Sequence, residues 1–348
     1  MPHLAAVPPH PTPPIAAEAG APEVARMICA SLGREREQIY STMESIREQA
    51  LRHNPPLGIH TALSWQSGWF IHWAEGPIDG LRALFDRVLL DSRHTGQQVV
   101  HLSQGRRLLM TPWSMMLSGS RESPEELGRR VQALVALRDL GRQYAPHSVL
   151  RLLTAPMRLP AALKLPDPEC YHRIGVCSAW GTAAFDLVEC LGREHSVEVE
   201  KRRHAGESGL DNGSEFVDFM AGAYPCRVIA VARSDLAHGL RRALMQDWDM
   251  LALVFSGEPR HDDALLERVQ ESMQGLAVQP QLLAIAPDAA SRARVMHHER
   301  AQTLGLAGCA PVPPDDHALL WAELSDCLGQ LQAPCSAGWP VPTLSLRA

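Results

Sequence analysis

The first candidate for ligand chemistry is a short loop, Ser178-Ala179-Trp180-Gly181-Thr182, which follows an apolar run. In a parallel sheet covered by helices, ligands bind beyond the carboxyl ends of the strands, where this loop would lie. A phosphate-cradling loop needs the pattern GxxxxGKS/T, and a dinucleotide site needs GxGxxG, because glycines let the backbone approach the phosphates. The loop has neither pattern, so its sequence does not predict nucleotide hydrolysis or dinucleotide chemistry.

Three further motifs are similar to known catalytic or cofactor-binding patterns, but the spacing of their residues differs from those patterns. His298-Glu299 begins the HExxH pattern of zinc peptidases, but Gln302 stands where the second histidine ligand is needed. In residues 206–213 a serine is followed directly by glycine, which is not the GxSxG elbow of serine hydrolases. Asp235-Leu236-Ala237-His238-Gly239 is superficially similar to the DxHxxG element of cobalamin-binding domains, with the wrong spacing. We therefore predict no catalytic residue and no metal site.

The composition is typical of a folded protein in a reducing compartment. Hydrophobic residues make up 45% of the 348 residues and charged residues 21%, with a net charge of −6. The eight cysteines show no CxxC and lie mostly in apolar runs, which indicates buried thiols and not disulfides. We find no basic start followed by an apolar core and no apolar run of about 18–20 residues. We expect a cytoplasmic protein with neither membrane nor nucleic acid as a partner.

The second half of the chain alternates between strand-like and helix-like stretches. Continuous apolar runs are typical of strands with helices on both faces, and the alternation predicts a doubly wound, mostly parallel α/β sheet. We assign it to residues 170–310, with a flavodoxin-like or P-loop-free GTPase-like fold, followed by a helix and a tail at 311–348. We interpret Lys201-Arg202-Arg203 as the solvated end of a strand. Strands are predicted at 173–178, 197–200, 226–232, 250–255 and 281–286, and helices at 181–193, 214–223, 236–247, 262–274 and 289–304.

The first half predicts a smaller domain between a tail and a linker. Residues 1–22 are rich in proline and alanine, which indicates a disordered tail. Residues 23–118 follow the order strand, helix, two strands joined at Gln66-Ser67-Gly68, helix and two strands, a ferredoxin-like arrangement. Residues 119–169 predict a helical cap, with Ser123 as N-cap and Pro124 in the first turn, and then a Pro-punctuated linker at 146–169.

Four signatures of this smaller domain have the order and spacing of one known family. They are His53-Asn54, Trp69-Phe70-Ile71-His72-Trp73-Ala74-Glu75-Gly76, Asp91-Ser92-Arg93-His94 and Trp113-Ser114-Met115. With them, residues 23–118 resemble the BLUF family, the bacterial blue-light sensors that use flavin. The resemblance covers essentially the whole domain. It implies that FAD is a possible cofactor, held between the two helices.

The resemblance also assigns roles to individual positions. In that family a tyrosine on the first strand and a glutamine on the third exchange hydrogen bonds with the excited ring, and an asparagine after the first helix binds its polar edge. This sequence has Cys29 and His72 at the first two positions and keeps Asn54, while Arg93 could also hold the ring. A buried thiol is a poor replacement for a phenol, and a neutral imidazole carries its donor and acceptor on opposite edges. We therefore predict a degenerate photoreceptor without the usual photocycle, and no cofactor, with FAD as the possible one.

Two features near the predicted groove have alternative interpretations. His72 is either a pH- or redox-sensitive group or, more ordinarily, a core histidine bonded to a backbone carbonyl. The tryptophans Trp65, Trp69 and Trp73 either pack in the ordinary way or fill the groove.

The missing tyrosine and glutamine favour a non-enzymatic bacterial regulator. Both domains would dock onto protein partners, such as a transcriptional or signalling component, or onto a second copy of the chain. The second hypothesis is a flavin-binding light or redox sensor with altered chemistry, in which Cys29 could take part. The third is an enzyme with an unrecognised site near the loop at 178–182.

Overall fold

A computed structural model of the protein describes residues 23–34, 38–118, 120, 122–159, 167–205 and 211–331. Predictions for the tail 1–22, the serine-containing loop at 206–210 and the chain end 332–348 lie outside these residues. The predicted fold class is confirmed: a ferredoxin-like part is followed by a largely parallel sheet with helices.

The N-terminal part has the predicted order of elements. Its strands lie in the order β5-β2-β3-β1-β4, with β2 and β5 parallel and the other neighbours antiparallel. Helices α1 and α2 pack on one face of these strands, and α3 and α4 cover the other. The bounds are β1 (Glu23–Gly33), α1 (Ile39–His53), β2 (His60–Gln66), β3 (Trp69–Gly76), α2 (Ile78–Leu89), β4 (His94–Arg106), β5 (Trp113–Ser118), α3 (Pro124–Asp139) and α4 (Pro146–Thr154).

Local sequence explains where these elements end. Helix α1 stops before Asn54 because two prolines follow, which form a 3₁₀ turn at Pro55–Leu57. Ser67 and Gly68 both have positive φ angles, 49° and 81°, as the two central residues of a type I′ hairpin turn require. This turn joins β2 and β3 at the predicted place.

The predicted linker begins with a helix. Residues 146–154 form α4, in which every residue except His147 is buried. Pro146 occupies the first helical turn, where proline costs no hydrogen bond. The apolar residues of α4, such as Val149 and Leu153, pack against the N-terminal strands, so these residues form core and not linker. The predicted start of α3 is confirmed by a capping box between Ser123 and Glu126.

The second half contains five parallel strands in the order β12-β11-β10-β6-β9. Helices cover both faces, as the continuous apolar runs predicted. The elements are β6 (His172–Ser178), α5 (Ala183–Glu194), β7 (Glu200–Ala205), β8 (Asp211–Ala221), β9 (Tyr224–Val231), α6 (Gly239–Met245), β10 (Met250–Val254), α7 (Pro259–Met273), β11 (Gln281–Ile285), α8 (Ala289–His297), α9 (Glu299–Leu304), β12 (Ala307–Gly308) and α10 (His317–Leu328).

The prediction of a helix at 214–223 is wrong, because these residues belong to strand β8 and its turn. β8 lies between β7 and β9, antiparallel to both. Phe216 and Val217 are buried on opposite faces of the sheet. A strand buried on both sides loses the alternation that identifies strands in a sequence. The strand predicted at 197–200 lies a few residues further on, as β7.

Strand β7 joins the two parts into one sheet. It pairs antiparallel with β5, with Met116 opposite His204. Among the described residues, twelve strands form this one sheet. The interpretation of Arg202 as solvated is wrong, because this side chain points into the interface beside Met116 and is 7% exposed.

Candidate functional site

A cavity of about 330 Å³ lies between α1 and α2, above strands β1 and β3. Its volume is within the range of about 300–1,000 Å³ that small-molecule sites occupy. The walls are mainly apolar, and polar groups gather at its floor and at its mouth. The apolar lining comes from Ile46, Ala50, Leu63, Phe70, Leu84, Val88 and Trp113.

The four residues singled out by the family resemblance all line this cavity: Cys29, Asn54, His72 and Arg93. Cys29 on β1 and His72 on β3 are direct partners in the antiparallel ladder. Side chains of opposed residues on one face lie about 4.5–5.5 Å apart at Cβ. The thiol and the imidazole are therefore neighbours on the floor of the cavity.

His72 is neutral near neutral pH. Burial lowers the pKa of this imidazole to about 4, and the neighbouring His94 adds to the shift. Within the described part of the chain His72 has no hydrogen-bond partner, so the expected bond to a backbone carbonyl is absent there. A neutral imidazole offers one donor and one acceptor, and neither is bonded within the described residues.

Cys29 is a protonated thiol. The side chain is 4% exposed, and burial raises its pKa to about 12, an effect that the charge of Arg138 only partly opposes. Thiolates and not thiols carry cysteine reactivity. The site therefore gives no support to redox chemistry that begins at Cys29.

Asn54 is held at the end of α1 with its amide facing the cavity. The residue is 3% exposed, and its Oδ1 accepts a long hydrogen bond of 3.4 Å from Nη2 of Arg87, which also lines the cavity. Its backbone carbonyl accepts from the amides of Leu57 and Ile59. The proline turn after α1 thus fixes the position of this amide, and a planar ring with a polar edge could bind to it.

Arg93 closes the mouth of the cavity. Its guanidinium binds the Asp91 carboxylate, with 2.9 Å from Nε to Oδ1 and 2.5 Å from Nη2 to Oδ2, and reaches Gln49 Oε1 on α1 at 3.1 Å. Burial opposes ionisation of Asp91, but the hydrogen bonds from Arg93 outweigh it, and the pKa of Asp91 is lowered. Arg93 thus links α1 to the segment after α2, beside any ligand.

Several polar residues of the cavity were not predicted as site residues. Arg87 lies on the inner face of α2, and His94 lies beside Phe70 with its Nδ1 at 2.8 Å from Nε2 of Gln97. Burial lowers the pKa of His94, although Asp91 opposes the shift. His94 could have been found, because it belongs to one of the four signatures; Arg87 and Gln97 carry no such signal.

The three hairpin tryptophans do not fill the cavity. Trp69 donates a hydrogen bond to the carbonyl of Pro124 on the opposite face of the sheet, and Trp73 donates to the Glu75 carboxylate. Trp65 packs against the Phe70 ring, with the ring centroids 4.7 Å apart. Ordinary packing explains all three.

The loop at 178–182 lines a second cavity of about 330 Å³, at the carboxyl ends of β6 and β9. Trp180, Arg233 and Arg268 contribute to this cavity. Among the described residues that line it there is no carboxylate, histidine or cysteine. Its hydroxyl groups come from Ser178 and Ser234, so no base stands beside a hydroxyl among the described lining residues.

One group of residues in the described part of the chain has the composition of a metal site. Ligand atoms of His204, Asp235 and His238 lie within 4.8 Å of one another. Asp235, however, already binds the guanidinium of Arg241 at 2.9 Å. His298, which begins the HExx pattern, caps α9 by accepting a hydrogen bond from the amide of Arg300.

Comparison with known proteins assigns the N-terminal part. The family model for sensors of blue-light using FAD matches residues 25–116. The photoactivated adenylate cyclase subunit beta of Euglena longa is 28% identical over 120 residues, which are 32% of this chain and 14% of that protein. Among solved structures, BlrB, a BLUF protein in its dark state, is 24% identical over 39% of this chain and 98% of its own, with a TM-score of 0.26. The complex of Klebsiella pneumoniae BlrP1 with FMN and cyclic diGMP is 12% identical over 91% of this chain and 98% of its own, with a TM-score of 0.27.

The chain contains a BLUF domain at residues 25–116, as the four signatures predicted. A BLUF domain is a module of light-sensing and signalling proteins that use FAD, so the prediction of no cofactor is not supported, and FAD stays possible. The chain spans only 14% of the Euglena cyclase subunit, so the activity of that protein is not transferred here. In the described residues no helix is long and apolar enough to cross a membrane.

Proposed function

We propose that this chain is a flavin-binding signalling protein whose BLUF domain has lost the usual blue-light photocycle. The observation that supports this most is the open cavity between α1 and α2, where Cys29, Asn54 and His72 meet on apolar walls. Its volume, its buried amide and its unpartnered imidazole fit a planar ring with one polar edge. Asn54 makes only the long bond from Arg87, and His72 has no hydrogen-bond partner among the described residues, so both groups keep hydrogen-bonding capacity for a ligand.

FAD or FMN, when bound, would supply a ring that absorbs blue light. The Asn54 amide would bind the polar edge of that ring, and the apolar walls from α1 and α2 would exclude water. His72 would offer one nitrogen to the ring, because the other lies on the opposite edge of the imidazole. Rotation of this side chain therefore cannot exchange a donor for an acceptor as a carboxamide does. The protonated Cys29 thiol is a weak donor and does not replace a phenol.

Strand β5 offers a direct route from the cavity to the α/β part. Trp113 lines the cavity, and two residues further along the same strand Met115 pairs with Ala205 on β7. A displacement of Trp113 would reach the second half of the sheet through hydrogen-bonded strands. We propose that ligand occupancy of the BLUF cavity is transmitted along this route.

We propose that the output is a protein contact and not a reaction. When the five parallel strands are numbered 1 to 5 in chain order, the order β9-β6-β10-β11-β12 becomes 2-1-3-4-5. This strand order supports a flavodoxin-like α/β domain. Among the described residues that line its cavity at 178–182, the serine hydroxyls have no histidine or carboxylate beside them to act as a base. The partner we propose is a signalling or transcriptional component in the cytoplasm.

Flavin binding tests the proposal, with a pair of matched substitutions. Ala50→Trp fills the cavity from α1, whereas Ala83→Trp places the same side chain on the exposed face of α2. We expect the wild-type protein and Ala83→Trp to bind FAD or FMN near one to one, and Ala50→Trp to bind at least ~10-fold more weakly. A wild-type protein that stays colourless when flavin is supplied would instead support a docking module without cofactor.

A further inference from the structure

The junction between the two parts of the sheet contains a cluster of buried arginines. The cluster surrounds a cavity of about 50 Å³ between α4, α6 and strands β5 to β9. Every arginine of the cluster is 7% exposed or less. Burial of a charge costs several kcal/mol unless a partner compensates it. The cluster consists of Arg151, Arg173, Arg202, Arg227 and Arg241.

Four of the five arginines have carboxylate partners. Arg151 and Arg173 share Glu169, at 2.5 and 3.0 Å, and Asp247. Two further pairs are separate: Arg227 binds Asp218 at 2.7 Å, and Arg241 binds Asp235 at 2.9 Å. Five guanidinium groups therefore face four carboxylates, and one positive charge is left over.

The unpaired group is Arg202. It donates to the carbonyl of Thr154 and lies 3.8 Å from Sδ of Met116, and both of these acceptors are neutral. Glu200 is the acidic side chain whose charge raises the pKa of Arg202, and it is itself bound by Arg158 at 2.5 Å. Burial and the neighbouring Arg227 lower the pKa of Arg202 to about 9, so the guanidinium is still charged at neutral pH.

Hydrogen-bond donors without partners converge on the same cavity. The Nε groups of Arg151, Arg173 and Arg202 are all buried and make no hydrogen bond among the described residues, although that of Arg173 lies 3.7 Å from Oδ2 of Asp247. Buried donors are nearly always satisfied, by protein or by a bound molecule. The cavity therefore presents excess positive charge and free N–H groups together.

The size of the cavity restricts the occupant. About 50 Å³ holds a few water molecules or one small ion, and excludes a nucleotide or a flavin. Water would accept the free N–H groups but would leave the charge of Arg202 uncompensated. We propose that this cavity binds one small, singly charged inorganic anion, such as chloride, with Arg202 as its principal ligand.

Such an anion would stabilise the joint between the BLUF domain and the α/β part. Arg202 lies on β7, the strand that pairs with β5, and Arg151 lies on α4, which packs on the N-terminal strands. The anion would thus hold together the elements that connect the two halves. This inference does not depend on flavin binding.

The test is a thermal unfolding titration of the full chain with chloride, at constant ionic strength made up with gluconate. At 100 times the dissociation constant, the folded-to-unfolded ratio rises ~100-fold, which corresponds to a Tm increase of about 4 °C for a chain of this length. We expect this saturable increase in the wild type and in Lys201→Met, which removes an exposed charge on the same strand. Arg202→Leu should lose the chloride dependence and, without chloride, should melt no lower than the wild type.

Two results would overturn the proposal. One is an equal response to chloride and gluconate in the wild type, which would mean ordinary ionic screening. The other is a chloride response that survives in Arg202→Leu. If that variant does not fold, crystals of the wild type soaked in bromide decide the matter. We expect an anomalous peak beside the Arg202 guanidinium, and its absence from the cavity would exclude the site.

Discussion

Truncation of Asn54 is the substitution that probes the BLUF cavity most selectively. Asn54→Ala removes the one buried amide that faces the ligand space and leaves its position on the proline turn intact. In the free protein its side chain makes only a long hydrogen bond with Arg87, so we expect a loss of stability below about 1 kcal/mol. In the complex, the polar edge of the ring would lose a buried partner, which costs about 1–3 kcal/mol. The dissociation constant for flavin should therefore rise about 5- to 150-fold.

A titration of FAD or FMN fluorescence with protein, carried out in darkness, measures this change. Glu48→Ala is the matched control, because it truncates an exposed polar side chain of the same helix away from the cavity. It should leave the dissociation constant unchanged. If Asn54→Ala binds flavin within about twofold of the wild type, Asn54 does not hold the ring, and our placement of the flavin is wrong.

Three further predictions concern stability. Glu75→Ala leaves the indole of Trp73 and two backbone amides without their buried acceptor, so we expect a loss of about 3 kcal/mol in urea unfolding; a loss below about 0.5 kcal/mol would contradict this account. Gly175→Ala places a Cβ 2.1 Å from the Trp248 ring and should lower the free energy of unfolding by about 1–3 kcal/mol. Gly213→Ala is the control and should have a smaller effect, because its Cβ would meet only one atom, at 3.9 Å. The free energy of unfolding should fall as the pH drops from 6.5 towards 4, because histidines kept neutral in the fold bind protons when the chain unfolds. A free energy of unfolding that rises over this interval would refute the assignment of these histidines as neutral in the fold. These histidines are His72, His101 and His147, with pKa values lowered chiefly by burial to about 4, 3 and 4.

The N-terminal elements were predictable because local signals agree with the tertiary structure. Prolines end α1, a positive-φ turn closes the hairpin, and a capping box starts α3. The position of Asn54 follows from the same prolines. The sequence could therefore indicate which strands and helices would surround a groove, and the residues compared with the family all line it.

Other elements were not predictable because contacts distant in sequence determine them. Strand β8 is buried on both faces and has no alternation, and α4 is a short helix at the start of a proline-punctuated stretch that indicates a linker. The pairing of β5 with β7 brings together strands that are distant in the sequence, which no local pattern encodes.

Charge was the least predictable property. Arg202 stands between two exposed basic residues, Lys201 and Arg203, and composition alone places all three in solvent. In the structure the alternation of the strand sends the middle side chain inward. The role of Arg202 depends on which carboxylates are already bound by other arginines, and this pairing is known only from the folded chain.

The most direct test of the central claim is the visible absorption spectrum of the protein purified in darkness with FAD supplied, recorded again after blue illumination. We predict a yellow protein whose spectrum shows no reversible red shift, because His72 and Cys29 cannot exchange hydrogen bonds with the ring as glutamine and tyrosine do. The double substitution Cys29→Tyr and His72→Gln should restore the shift. A reversible red shift in the wild type would contradict the loss of the photocycle, and a colourless protein would contradict flavin binding.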